Sequence, residues 1–387
     1  MIRSRRTQPE RLLRLTGGIF AAALLAAPAS IGAIAPAQSA ETSAQQSLSD
    51  PFVAFAPGQN PIDHTIDYSI WDEAMSSLVL SMGPSLRKNP GRPDPIFGTR
   101  RQYGHVSRYR LEGSLMAFSF MNNEIKASFT EYRQDLQSVA DGLDIQSLPR
   151  NEQLAYWLNL HNVALVEQIA LNWPMRQPRE FELDGAPLDE AKFITVKGIA
   201  MSLRDIREKI VYRHWKNPKV IYGFWRGEIG GPALQRKAFN AKNVSQLLDK
   251  AAREFVNSLR GTQKYGSKLQ VSTLYAETAP FFFPNMETDV RNHIAEYANG
   301  DVQAILDKTS KFEATVREHD IADISGGARQ PPIFGTGGMR VPPAMATMLQ
   351  QRRRKFDIMI REGVRTGTVT FSNIDLPGDP DNKGEVE

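Results

Sequence analysis

The sequence predicts an α+β fold, a mostly helical single domain with a small β-sheet. Three observations predict it. Apolar residues recur at helical spacing in several long stretches, β signals are few and clustered between residues 193 and 275, and the two do not alternate as a doubly wound sheet requires. The chain has 387 residues, 41% hydrophobic and 23% charged, enough for a sizeable core and unlike a disordered or collagen-like composition. It has no cysteine, which removes thiol nucleophiles, thiolate metal sites, iron–sulfur clusters and disulfides together.

The first forty residues have the layout of a secretory signal peptide. Arg3, Arg5, Arg6, Arg11 and Arg14 precede an alanine- and leucine-rich stretch over residues 17–36, and small residues put cleavage between Ala37 and Ala40. Pro28, Gly32 and Pro36 break the stretch, so a retained membrane anchor is the weaker of two readings. Ser4-Arg5-Arg6 resembles a twin-arginine signal, although Thr7 to Glu10 take the place of its apolar pair. The full chain carries 47 basic and 43 acidic residues with a sequence pI near 9.1. Residues 1–40 hold five arginines and one glutamate, so the mature chain has 42 of each sign and is formally neutral. The high pI is therefore no argument for nucleic-acid binding. No later segment is apolar for the roughly 20 residues a membrane span needs, and a soluble periplasmic or secreted product is expected.

Residues 41–64, rich in Ser, Gln, Pro and Gly, read as a linker, with structure beginning near Asp67. Ile70, Trp71, Met75, Leu78, Val79 and Met82 recur at helical spacing after the capping residues Asp67 and Ser69. Pro90, Pro93 and Pro95 mark a loop. A second helical stretch covers residues 111–139 and a third residues 148–172, ending at Pro174. The third is apolar nearly all round, the pattern of a helix buried in the core; its Asn159, His161 and Asn162 must then find hydrogen-bond partners. Short strands follow over residues 193–196 and 199–201 about a Lys197-Gly198 turn, then over 219–224 after Asn217-Pro218, and over 268–275. Ser202 with Asp205 resembles a capping arrangement for a helix to Tyr212, and Asn243 or Ser245 caps another through Leu259. Residues 287–299 and 302–318 complete the helices. No internal repeat is present.

Residues 326–387 form a tail: a Gly/Pro-rich linker over 329–343, one amphipathic helix, and a disordered end from Pro377. Met345, Met348, Leu349, Phe356, Met359 and Ile360 give that helix an apolar face, and it carries the run Arg352 to Lys355. Two readings are open, peripheral contact with an anionic membrane surface or docking on the body with a solvated basic face.

The run Asn151-Glu152-Gln153-Leu154-Ala155-Tyr156-Trp157-Leu158-Asn159-Leu160-His161-Asn162 resembles the hallmark helix of the domain-of-unknown-function family 547. The likeness continues over residues 201–206, 218–234 and 271–283, with Asp320 similar to a late family aspartate, so that residues 65–325 resemble the family domain. The resemblance implies no settled activity. It places cysteines at the positions of Arg226 and Gly231 and a histidine at the position of Glu208, so any cysteine–histidine chemistry in relatives is missing here.

Two constellations remain. Residues 226–232, with Gly230 and Gly231 before Pro232, follow a strand signal. Their backbone N–H groups could form an anion-binding nest with Arg226 as a bidentate partner, or the glycines serve only a tight turn. His161, beside Asn159 and Asn162, is either a general base or binding residue or a buried histidine satisfied by its neighbours. The six histidines, at 64, 105, 161, 214, 293 and 319, show no metal-ligand spacing, and no nucleotide fingerprint or nucleophile elbow occurs. No metal and no cofactor are expected. The Phe281-Phe282-Phe283 run reads as core or pocket wall.

The expectation is an exported, noncatalytic binding or scaffolding domain for a small-molecule, peptide or protein ligand, anionic or peptide-like, held by Asn159, His161, Asn162, Arg226, Gly230 and Gly231 near Glu228. The alternative is a hydrolase-like enzyme, not thiol-dependent, with His161 as base, Glu228 as acid and the Gly230-Gly231 backbone as oxyanion site.

Overall fold

The computed structural model describes residues 50–58, 61–92, 104–330, 333–334 and 340–364. The expected signal peptide, the start of the linker after it, the prolines 93 and 95 and the end of the tail lie outside these residues. Among the described residues the chain is an α+β domain. In order it runs α1 (Ser69–Leu78), β1 (Val79–Ser81), β2 (Ser114–Met116), α2 (Asn123–Gly142), α3 (Arg150–Asn172), β3 (Glu182–Leu183), β4 (Ala186–Pro187), β5 (Ile194–Val196) and β6 (Ile199–Met201). It continues through α4 (Leu203–Asp205), α5 (Tyr212–His214), α6 (Val244–Val256), β7 (Thr262–Tyr265), β8 (Lys268–Ser272), α7 (Thr273–Phe282), α8 (Met286–Tyr297), α9 (Gly300–Asp307), β9 (Lys311–Val316), β10 (Ile333–Phe334), β11 (Arg340–Val341) and α10 (Pro343–Arg361). The largest sheet has three strands in the order β7-β8-β9, antiparallel then parallel, and the other strands pair as two-stranded ribbons.

Helix α3 is the axis of the core, as its all-round apolar pattern predicts: every residue from Glu152 to Ala170 is buried. Most of its buried polar side chains are paired, Gln153 Oε1 and Trp157 Nε1 being the exceptions. Asn159 donates to the Phe239 carbonyl at 2.7 Å and accepts from the Phe239 N–H at 3.0 Å. Asn162 does the same across a turn, donating to Gly223 O at 2.9 Å and accepting from Trp225 N at 3.0 Å. Each asparagine thus supplies a donor and an acceptor to backbone that has no ladder partner there.

Several elements differ from expectation, each for a physical reason. Part of the expected linker is structured: residues Pro51–Phe55 form a 3-10 turn with Phe52 and Phe55 buried, and Phe55 meets Trp157 edge-on at 5.1 Å. Residues Pro218–Gly223 are a 3-10 helix rather than a strand; Asn217 caps them by accepting from Lys219 N, and burial from Val220 onward leaves no alternating face. The helix expected over 111–139 begins only at Asn123, because residues 114–116 pair with β1. Likewise α9 stops at Asp307, and residues 311–316 form a strand on β8, while α7 starts inside the expected 268–275 strand.

The tail helix occurs where expected and is docked. Ala344, Met348 and Met359 are buried, and Phe356 lies against Gly83 at a distance that leaves no room for a Cβ. Lys355 is not on a solvated face: its Nζ is buried and donates to Met82 O at 2.9 Å and Leu111 O at 2.6 Å. Met348 and Met359 of the expected apolar face are turned to the body, while Leu349 and Ile360 stay exposed. Among the described residues no helix is long and apolar enough to cross a membrane.

Candidate functional site

Three segments meet around a cleft of about 510 Å3: the stretch from β4 to α5, the loop after Phe224, and the start of α7, closed by residues 317–319. The capping box at Ser202 and Asp205, both halves of which form, launches α4. The chain then passes through a π-helical turn, Ile206–Val211, into α5. The π turn matters for the site. In an α-helix, with 3.6 residues per turn, Tyr212 would point about 140° away from Arg207. The wider turn brings residues five apart toward one side, and Arg207, Glu208 and Tyr212 all line the cleft.

Arg207 is buried at 2% side-chain exposure. Its Nη1 donates to His161 Nε2 at 3.0 Å and its Nη2 to Asp189 Oδ2 at 2.6 Å. Asp189 Oδ2 also accepts from Arg204 Nε at 3.3 Å, and Arg226 Nη1 stands 3.9 Å from Asp189 Oδ1. Burial alone would raise the Asp189 carboxyl, but Arg207 and Arg226 overcome it and hold it well below the usual carboxylate range. On the other side, Arg226 Nη2 lies 3.5 Å from Glu277 Oε2 on α7. Desolvation opposes the charge of Arg226, and the surrounding Tyr212, Asp189, Glu277 and Glu228 more than offset it.

Three buried polar atoms here lack a hydrogen-bond partner: Arg226 Nε, Arg207 Nε and the Tyr212 hydroxyl. Such atoms are costly unless water or a ligand reaches them. Tyr212 is packed by Phe224, Phe281 and Phe282 at ring distances of 5.2–5.7 Å, so the aromatic run backs Tyr212 without lining the cleft itself, with Phe283 buried in the core.

The sequence-derived site residues divide. Arg226, Glu228, Gly230 and Gly231 line the cleft; Asn159, His161 and Asn162 do not. His161 is fully buried and both ring nitrogens are engaged: Nε2 accepts from Arg207, so Nδ1 carries the proton and donates to Asn162 Oδ1 at 3.1 Å. Burial, with Arg207 and Arg226 nearby, pushes its pKa well below the ordinary histidine value. In this arrangement it reaches no ligand and instead fixes Arg207. The two asparagines are spent on backbone.

The glycine nest is corrected as well. Gly230 N donates to Glu318 O at 3.1 Å and Gly231 N to Glu228 O at 3.2 Å, so neither N–H is free for an anion or oxyanion. The positive φ of the turn is at Gly227. Gly230 is needed because a Cβ would stand 2.5 Å from Glu318 O. Glu228 accepts a fork from Arg179, at 2.6 and 3.2 Å, and its Oε2 faces His319 Nδ1 at 3.1 Å; both oxygens are engaged as acceptors, unlike those of a poised general acid. Among the described residues no group of three or more His, Asp or Glu is arranged to hold a metal ion.

Sequence reasoning missed Arg207, Asp189, Tyr212 and Glu277. Arg207 had a signal: it interrupts the apolar stripe of Leu203, Ile206 and Ile210, all buried, and an arginine on a buried stripe needs a partner. Asp189 and Glu277 had none, since only the fold brings them to Arg226.

Residues 145–256 match a family described as "Protein of unknown function, DUF547". The matched span runs from the turn before α3 to the end of α6, and so holds α3, the π turn and the Arg226–Gly231 loop. No curated protein and no solved structure matches the chain. Arg226, Gly231 and Glu208, where the resemblance expects two cysteines and a histidine, all line the one cleft.

Proposed function

We propose that this chain, whose central segment is of the DUF547 type, is an exported, noncatalytic binding domain that holds an anionic or peptide-like ligand in the cleft around Arg226. The observation that carries this reading is the Arg226 guanidinium. It lines the cleft, its Nε has no partner, and its carboxylate neighbours stand at 3.5 and 3.9 Å, beyond good hydrogen-bond length. A guanidinium whose carboxylate neighbours are held only at these lengths can exchange them for a closer, bidentate carboxylate or phosphate. The unpartnered Tyr212 hydroxyl beside it offers one more donor. Family positions expected to carry cysteine and histidine surround the same space with Arg, Gly and Glu, which favours binding over thiol chemistry. Export rests on the arginine-led apolar stretch at the amino terminus.

A thermal-shift screen of the purified protein over cell-wall fragments, peptides, sugars and small anions tests the reading, with Arg226→Ala alongside. A ligand at 100 times its Kd adds about 2.7 kcal/mol of stability. The expected result is a shift in the wild type that the variant loses. A shift the variant keeps, or no shift with any compound, overturns the reading. Cell fractionation with mass determination of the amino terminus tests export; an uncleaved cytoplasmic chain would refute it.

A further inference from the structure

We propose that the cleft takes the singly charged carboxylate head of its ligand, such as a peptide C-terminus, and discriminates against dianionic phosphate because Asp189 already occupies half of the arginine site. This deepens the anion-binding reading above and rests on it.

The argument is one of charge in the sheltered part of the cleft, where interactions are least screened. Two guanidiniums are sheltered there, Arg207 at 2% and Arg226 at 18% side-chain exposure, and they share one carboxylate, Asp189. The third arginine on Asp189, Arg204, is 47% exposed and is further paired with Glu190 at 2.8 Å. Asp189 lies hydrogen-bonded to Arg207 and only 3.9 Å from Arg226. Glu277, 46% exposed, also stands 3.5 Å from Arg226, so the positive charge left for a ligand is at most one and rests on Arg226. A monocarboxylate does not exceed that charge. A phosphate dianion would bring its second charge against Asp189 and against Glu277, itself 3.5 Å from Arg226.

Shape and donors agree with the charge. A carboxylate is planar and takes a guanidinium fork with both oxygens. The Tyr212 hydroxyl, 1% exposed and unpartnered, stands within electrostatic reach of Arg226 and Arg207 and can donate without adding charge. The remaining volume, out of about 510 Å3, lies in the range that holds a small organic ligand rather than an inorganic ion alone.

Isothermal titration of the full protein at pH 7.5 and fixed ionic strength tests this with three probes: acetyl-trialanine with a free C-terminus, its C-terminal amide, and inorganic phosphate. The free acid is expected to bind at least tenfold more tightly than either of the others. In Asp189→Asn, phosphate affinity is expected to rise about tenfold as the second guanidinium loses its counter-charge. Phosphate binding as tightly as the free acid in the wild type overturns the monoanion inference while leaving anion binding intact. Equal binding of acid and amide overturns it too, because the head is then not read. Unchanged phosphate affinity in a folded Asp189→Asn protein removes the role given to Asp189, and if that variant does not fold the wild-type ranking decides. Binding of none of the three overturns both this inference and the reading beneath it.

Discussion

Arg207 and His161 meet inside the protein, Nη1 donating to Nε2 at 3.0 Å. The contact joins the buried axis helix to the cleft, because the other branch of the same guanidinium holds Asp189. A neutral imidazole acting as an acceptor satisfies one branch of the buried arginine and leaves the other for Asp189.

His161→Ala should therefore cost stability and loosen the cleft together. Leaving Arg207 Nη1 without its acceptor costs about 1–3 kcal/mol, and the deleted ring adds a cavity. His161→Gln, which keeps an acceptor, should recover part of the loss. Chemical denaturation of the three proteins checks the order; equal stability of wild type and alanine variant would refute it.

The His161 ring should stay neutral from pH 8 to pH 5, seen as an imidazole NMR signal that does not titrate. The sign for stability follows. The unfolded chain takes up a proton below the ordinary histidine pKa of about 6.5 while the folded chain does not, so this contribution is full above that pH and is lost as pH falls below it. His293, lowered by burial to about 4, acts in the same direction.

Asp323 works in the opposite sense. Its carboxyl is buried with Oδ1 unpartnered, and desolvation raises it to about 6 despite the Gly327 and Trp173 donors. The folded state holds the proton more tightly, so its stabilising contribution is full below pH 4 and lost as pH rises through 6. Asp323→Asn keeps an acceptor for those donors without a charge. Wild type should gain on the variant by on the order of 2 kcal/mol as pH drops from 7 to 4, measured by urea titration at each pH. A constant gap would show that Asp323 is ionised throughout.

Gly230→Ala and Gly231→Ala should separate. At Gly230 the new methyl meets the Glu318 backbone at 2.5 Å, a clash that neither side can relieve by a rotamer change, costing about 1–3 kcal/mol. At Gly231 it meets Arg226 Cβ at 3.2 Å, so a smaller loss of Tm with a larger loss of ligand affinity is expected. The reverse order would contradict this account of the turn.

Lys355→Met should release the tail helix. The substitution keeps the length of the stem but removes the donor that Met82 and Leu111 carbonyls share, leaving buried acceptors unpaired at about 1–3 kcal/mol. Hydrogen exchange over residues 343–361 should quicken in the variant while α3 stays protected. Equal exchange in both proteins would mean that docking does not depend on Lys355.

Local pattern and core position agree wherever the sequence was easiest to read. Helix α3 lies within two residues of its expected start and ends where expected, the 194–201 hairpin and the Ser202–Asp205 capping box form, and the tail helix spans the expected stripe. Each of these is decided by neighbours in sequence: a period, a turn residue, a cap. Residues 218–223 and 311–316 were misread because burial on several sides in one, and a parallel partner strand in the other, override a short apolar run.

The sequence by itself determined the class of fold, the buried helix with polar side chains that had to be satisfied, and Arg226 and Glu228 as residues of interest. Tertiary structure decided what those residues do. It sealed His161 under Arg207, used both glycine N–H groups on neighbouring backbone, and brought Asp189, Tyr212 and Glu277 to Arg226. Hydrogen-bond demand is a property of a residue and can be read along the chain, but the partner that meets it is set by long-range packing, and it is the partner that makes one histidine a prop and places one arginine on a cleft.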